Sequence, residues 1–241
     1  MLKFFNANQK NSLKKLELIL YQRKLKQQTK SATVKKILFD VKKYGDKAVI
    51  KYEKKFSKIK SSSNNIKFSR EEINKFSKKI DRELKKAIDI AYTRIKRFHL
   101  KQTFSTFKYK DKFNNELSYK YSPIERVGVY VPGGTASYPS TVLMNCIPAL
   151  VAGVKNIYLT TPALGSSVNP AIIYAAKKCG VKEIYKTGGA HSIAALTYGT
   201  RTFKKVNKIV GPGNAFVASA KKEVFGDVGI DMVAGPSEVS I

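Results

Sequence analysis

Apolar positions follow two regimes along the chain. Up to about residue 110 they recur at helical spacing. Leu13, Leu16, Leu18, Ile19 and Leu20 open one amphipathic stretch, Val34, Ile37, Leu38 and Val41 form a second that Gly45 stops, and residues 48–56 predict a third, short helix. A polar loop follows at residues 61–65 and a short strand at 66–68. Ser69 and Glu72 have the S-x-x-E spacing of a capping box, with Ile73 and Phe76 beginning the buried face behind it. Leu84, Ala87, Ile88, Ala91, Tyr92, Ile95 and Phe98 then recur at three- and four-residue steps and predict a long helix over 82–101. Between 103 and 121 the spacing becomes alternating: Phe107, Tyr109, Leu117, Tyr119 and Tyr121 predict two strands that turn at 112–115.

From Ile124 onward strand-length apolar runs alternate with helical patterns. Strands are predicted at 126–131, 156–160, 183–186 and 206–210, and helices at 141–152, 170–178, 191–198 and from 214 onward. Pro170 opens the second of these helices and Gly180 closes it. Such alternation means βαβ units and a mainly parallel sheet with right-handed crossovers. Ligands on such sheets sit at the carboxyl ends of the strands. Three of those ends carry glycine-rich turns: Pro132-Gly-Gly134, Gly188-Gly189 and Gly211-Pro-Gly213.

The stretch Lys208-Ile-Val-Gly-Pro-Gly-Asn-Ala-Phe-Val217 reads as strand, tight turn and helix. Glycines at 211 and 213 let a ligand approach the backbone, and Asn214 stands where an N-cap would. A helix N-terminus there favours a phosphate or pyrophosphate, while an ordinary strand-to-helix turn remains the alternative. The G-x-G-x-x-G dinucleotide fingerprint is absent, because Phe216 occupies the place of its third glycine.

A length of 241 residues allows one large domain or two small ones. The formal net charge of +29 raises the question of nucleic acid. Residues 1–120 hold 34 Lys and Arg against 11 Asp and Glu, whereas residues 121–241 hold 12 against 6. The excess is nearly all lysine scattered around helices, not the arginine-bearing clustered face of a specific phosphate reader, so only weak, salt-sensitive binding to polyanions is expected. No run of 18 apolar residues and no secretory leader is visible, so a soluble, cytoplasmic protein without membrane contact is expected. Cys146 and Cys179 lie far apart in helical patterns and read as buried small hydrophobes. His99, near the end of the long helix, reads as structural.

The combined motifs resemble one family. Arg126-Val-Gly-Val-Tyr-Val-Pro-Gly-Gly134, Ser140-Thr-Val-Leu-Met144, Gly188-Gly-Ala190 with Ile193-Ala-Ala-Leu196, the 208–217 stretch, and Ile230-Asp-Met232 with Ala234-Gly-Pro-Ser-Glu-Val239 are similar in order and spacing to histidinol dehydrogenases. Lys43-Tyr-Gly-Asp46-Lys-Ala48 and residues 95–99 extend the resemblance over nearly the whole chain. It implies a zinc-dependent enzyme, homodimeric when complete, that uses two NAD to oxidise L-histidinol through the aldehyde to L-histidine. It implies an α/β fold: a Rossmann-like parallel-sheet domain at 125–236, preceded at 1–124 by a mostly helical region that is half of a second α/β domain, with 237–241 starting the return to that domain. By match of motif, Tyr130, His191 and Asn214 would contact NAD and Ser237 the substrate.

Two departures from the family's pattern stand out. His191 occupies the place of a glutamine, which would make that cofactor contact pH-dependent. The family's zinc ligands and catalytic Glu-His pair lie beyond the motif that ends this chain at Ile241, so a fragment is expected that neither holds zinc nor oxidises histidinol unaided. A nucleotide-binding module without catalysis is the alternative reading.

Overall fold

The computed structural model describes residues 6, 8–57, 65–133, 138–163 and 168–233, apart from the side chains of residues 20 and 22–30. The two stretches predicted at the start are one helix, α1 (Ser12–Tyr44), because no glycine or proline interrupts the good helix formers between them. Gly45 ends it at φ 54°, its N–H bonded to the Val41 carbonyl. Helices α2 (Asp46–Ser57), α3 (Arg70–Ser77) and α4 (Arg82–His99) follow. The capping box before α3 is formed: Ser69 Oγ accepts from the Glu72 N–H and the Glu72 carboxylate accepts from the Ser69 N–H. A 3₁₀ turn (Leu100–Gln102) extends α4, and His99 Nδ1 lies 2.6 Å from Gln102 Oε1 on it. Strands β1 (Phe107–Lys110) and β2 (Glu116–Tyr119) form the expected antiparallel hairpin, with Asn114 at φ 64° in its turn.

The second regime yields β3 (Arg126–Tyr130), α5 (Pro139–Val151), β4 (Asn156–Thr160), α6 (Pro170–Lys178), β5 (Glu183–Tyr185), α7 (Gly189–Tyr198), β6 (Lys208–Val210), α8 (Ala215–Glu223) and a two-residue strand, β7 (Gly229–Ile230). Strand order is β5-β4-β3-β6-β7 and every pairing between these strands is parallel. Residues 66–68 run antiparallel beside β5 through a single bridge, Lys67 to Tyr185.

The period-2 pleat sorts the strand residues between two cores. Val127, Val129, Val131, Ile157, Leu159 and Ile184 face α4, α5 and α6, with α3 against α6. Tyr130, Tyr158, Tyr185 and Ile209 face the other way, into a core shared by α1, α2, α7 and α8. The result is a three-layer α/β/α sandwich in which the first four helices thicken both outer layers, and each core draws side chains from both sides of residue 124. Cys146 and Cys179 meet inside the α5/α6 layer as free thiols, where the contact with Cys179 and then burial push the Cys146 thiol well above its ordinary range.

Candidate functional site

Strand order reverses at β3, whose neighbours β4 and β6 lead away in opposite directions. On an open parallel sheet the crevice outside the carboxyl ends at such a point is where ligands bind. Here it lies between the turn after β3 and the turn after β6. Residues 212–216 of the latter are exposed, while Gly211 and Val217 on either side are buried.

Asn214 caps α8, its Oδ1 accepting from the N–H groups of Phe216 at 3.0 Å and Val217 at 3.1 Å. The Asn214 carboxamide nitrogen and the amides of Gly213, Asn214 and Ala215 find no partner among the described residues. Three free amides at the positive end of a helix can receive an anion.

Gly211 sits at φ 110°, and a Cβ there would stand 2.1 Å from the Tyr130 carbonyl oxygen. At Gly213 a Cβ would meet the Val217 side chain at 2.3 Å. Pro162 does the same at the neighbouring turns, standing 2.6 Å (its carbonyl oxygen) from a Cβ at Gly133 and 2.7 Å (its Cβ) from one at Gly188. Close packing of the chain on itself therefore demands these glycines, and it accounts for Gly211 and Gly213, whose place in the sequence suggests ligand approach, without a ligand.

Gly211 is also held through its polar groups. Its N–H donates to Asp231 Oδ2 at 2.9 Å, and its carbonyl accepts from Lys221 Nζ at 2.9 Å. Lys221 is 5% exposed and pairs with Asp231 Oδ1.

Tyr130 links the two glycine turns. Its backbone carbonyl abuts Gly211, and its hydroxyl accepts from the Gly189 N–H at 3.2 Å. The ring is 3% exposed, and burial pushes the phenol's pKa up, the Gly189 N–H opposing it.

His191 lies in the first turn of α7 at 2% exposure, with Nε2 2.8 Å from Glu53 Oε2. Tyr52 and Phe56 of α2 pack their rings 6.2 and 6.0 Å from its own. One nitrogen is therefore spent on α2. The other, Nδ1, is buried without a partner among the described residues and lies 3.4 Å from where a Gly189 Cβ would stand. Glu53 also accepts from Ser57 Oγ and Thr187 Oγ1, while the Thr187 carbonyl accepts from Thr160 Oγ1 at 2.6 Å. Burial raises the Glu53 pKa, but these donors, His191 first, outweigh it and leave the carboxyl below its ordinary 4.5.

Tyr130, His191 and the turn before Asn214 thus converge on one end of the sheet, while Ser237 lies outside the described residues. Sequence reasoning missed Glu53, Thr187, Lys221 and Asp231. Two had a signal: Glu53 shares a helical stripe with Val49 and Tyr52, and Lys221 one with Val217 and Val224. A charge on an apolar stripe marks a buried pair. Among the described residues no group of three His, Cys, Asp or Glu comes together to hold a metal, and no helix is long and apolar enough to cross a membrane.

A five-stranded parallel sheet, helices on both faces and a free helix N-terminus at the strand reversal define a Rossmann-like α/β protein. A profile described as histidinol dehydrogenase matches residues 20–241, and the chain belongs to that family. It is 54% identical to the histidinol dehydrogenase of Pelagibacter ubique (strain HTCC1062) over 100% of this chain and 56% of the relative. It is 49% identical to that of Agrobacterium fabrum over 88% of this chain and 49% of the relative. The crystal structure of histidinol dehydrogenase from Elizabethkingia anophelis superposes with a TM-score of 0.81 at 42% identity, covering 86% of this chain and 48% of that one. The chain spans about half the length of the curated relatives it matches.

Proposed function

We propose that this chain is the nucleotide-binding part of an NAD-dependent enzyme that oxidises L-histidinol through the aldehyde to L-histidine, and that the NAD pyrophosphate seats on the turn after β6. The observation that carries this is the exposed α8 N-terminus at the strand reversal, with three amides that have no partner among the described residues, in a chain of the histidinol dehydrogenase family. Bound NAD would supply the hydride acceptor.

The rest falls to the chain's own groups. Asn214 has its carboxamide oxygen fixed by two helix amides, which aims the amide nitrogen as a donor toward the bound phosphate or ribose. Tyr130, at the end of β3, holds the turns after β5 and β6 in register through Gly189 and Gly211, and its ring meets the cofactor at the floor of the crevice. His191 contributes its free Nδ1 from beneath Gly189, and Ser237 contacts the substrate. The same reading includes a cytoplasmic homodimer with no specific nucleic-acid partner. Zinc belongs to the family reading, but the described residues offer it no ligand group, so no step is drawn through it.

Calorimetric titration of the 241-residue chain with NAD tests the proposal. Asn214→Ala should weaken binding about tenfold through one lost charge-assisted donor and a loosened cap. An unchanged dissociation constant would remove the site from this turn. With histidinol, NAD and zinc the chain alone should form no NADH, and NADH above a protein-free control would refute that part.

A further inference from the structure

We propose that Lys221 and Asp231 are positioning residues for the nucleotide turn: they consume both polar groups of Gly211, and this leaves the amides of Gly213, Asn214 and Ala215 free for the ligand. The inference rests on the nucleotide reading above.

In a helix each N–H bonds the carbonyl four residues back, and for Ala215 that carbonyl is Gly211's. Were that bond made, Gly211 would become the N-cap, the helix would start three residues earlier at Pro212, and one anion-binding amide, that of Ala215, would be lost. Lys221, a turn and a half into α8, takes the carbonyl instead at 2.9 Å. Its ammonium is nearly sealed from water, which is tolerable only because Asp231 pairs with it. Asp231 is itself fixed at the end of β7. Its N–H donates to the Ile209 carbonyl at 3.3 Å, its Oδ1 accepts from the Met232 N–H at 2.8 Å, and its Oδ2 accepts from Gly211. The pair thus ties the end of β6, the turn and α8 at one residue.

Two features argue against a mere staple. An apolar side chain at 221 would avoid the desolvation of the buried Lys221 ammonium, and replacing desolvated charge pairs by apolar groups is commonly neutral or stabilising. The two charges also cancel, so the pair adds little field to attract an anion. What it contributes is direction, since both bonds converge on the residue held at φ 110° against the Tyr130 carbonyl.

The test uses the 241-residue chain, with NAD and inorganic pyrophosphate as probes, and compares wild type with the double variant Lys221→Met, Asp231→Asn. The double variant leaves no unpaired buried charge, so its melting midpoint should stay near that of wild type. Its Gly211 amide should nevertheless exchange with solvent about tenfold faster, and both probes should bind about tenfold more weakly. Wild-type affinity in the double variant, or wild-type exchange at Gly211, overturns the inference alone. A wild-type chain that binds neither probe overturns the nucleotide reading and this inference with it. If the double variant does not fold, Lys221→Arg, which keeps the charge but alters the reach to Gly211, is read against the same outcomes.

Discussion

At Glu53 a carboxylate with no exposed surface survives because every neighbour donates to it: the imidazole of His191 and the hydroxyls of Thr187 and Ser57. Removing one partner of such a pair strands the other, so Glu53→Gln should cost about 3 kcal/mol. The pH dependence follows from the direction of the shift. The folded-state pKa lies below the ordinary 4.5, so the carboxylate stabilises the fold fully above that value and ceases to as acid protonates it in the folded state. The gap in melting midpoint between wild type and Glu53→Gln should therefore narrow from about pH 6 to about pH 3, and a constant gap would contradict this account. His191→Gln keeps a donor facing Glu53 and should cost less than His191→Leu, which thermal melts of the two variants decide. The pH-dependent cofactor contact expected from the sequence must be weighed against this geometry, in which one nitrogen of the ring already serves α2.

Elements were legible where an unbroken period met a clear stop. The β4 and α6 boundaries match the pattern to the residue because apolar runs there end at prolines, glycines or caps. Two features were not legible. The continuity of α1 depends on helix formers between two apolar stretches, which hydrophobic spacing does not register, and β7, two residues long, has too few positions to show a period. The crevice was legible in outline through its glycines, although Gly133, Gly188, Gly211 and Gly213 each answer to a neighbour in the same chain. That distinction predicts an ordering. Gly211→Ala drives a methyl into the Tyr130 carbonyl at positive φ and should cost about 3 kcal/mol or more, whereas Gly180→Ala, with φ +64° and open space around it, should cost about 1 kcal/mol. Denaturant melts of the two variants measure it, and equal losses would mean that contact with β3 is not what demands glycine at 211.

Across the whole molecule, charge and exposed apolar surface oppose each other. Phe107 stacks on Tyr119 and Phe104 on Tyr121, with ring centroids 6.0 and 5.0 Å apart, and all four are exposed. Contiguous aromatic surface of this kind drives association, while a net charge of +29 resists it. Added salt screens the charge and leaves the rings untouched, so sedimentation velocity should show self-association that rises with salt and falls in Phe107→Ser, Tyr119→Ser. Association that weakens with salt would instead indicate charge-driven contacts. The long first helix has a consequence in time as well as in space. Ser31 of α1 hydrogen-bonds Glu223 of α8, 192 residues further along the chain. At the usual pace of about 5–20 residues per second, the ribosome needs roughly 10–40 s to deliver that partner. Until then the Val34, Ile37 and Val41 face of α1 is a newborn amphipathic helix whose seat has not been made, the kind of surface that chaperones hold.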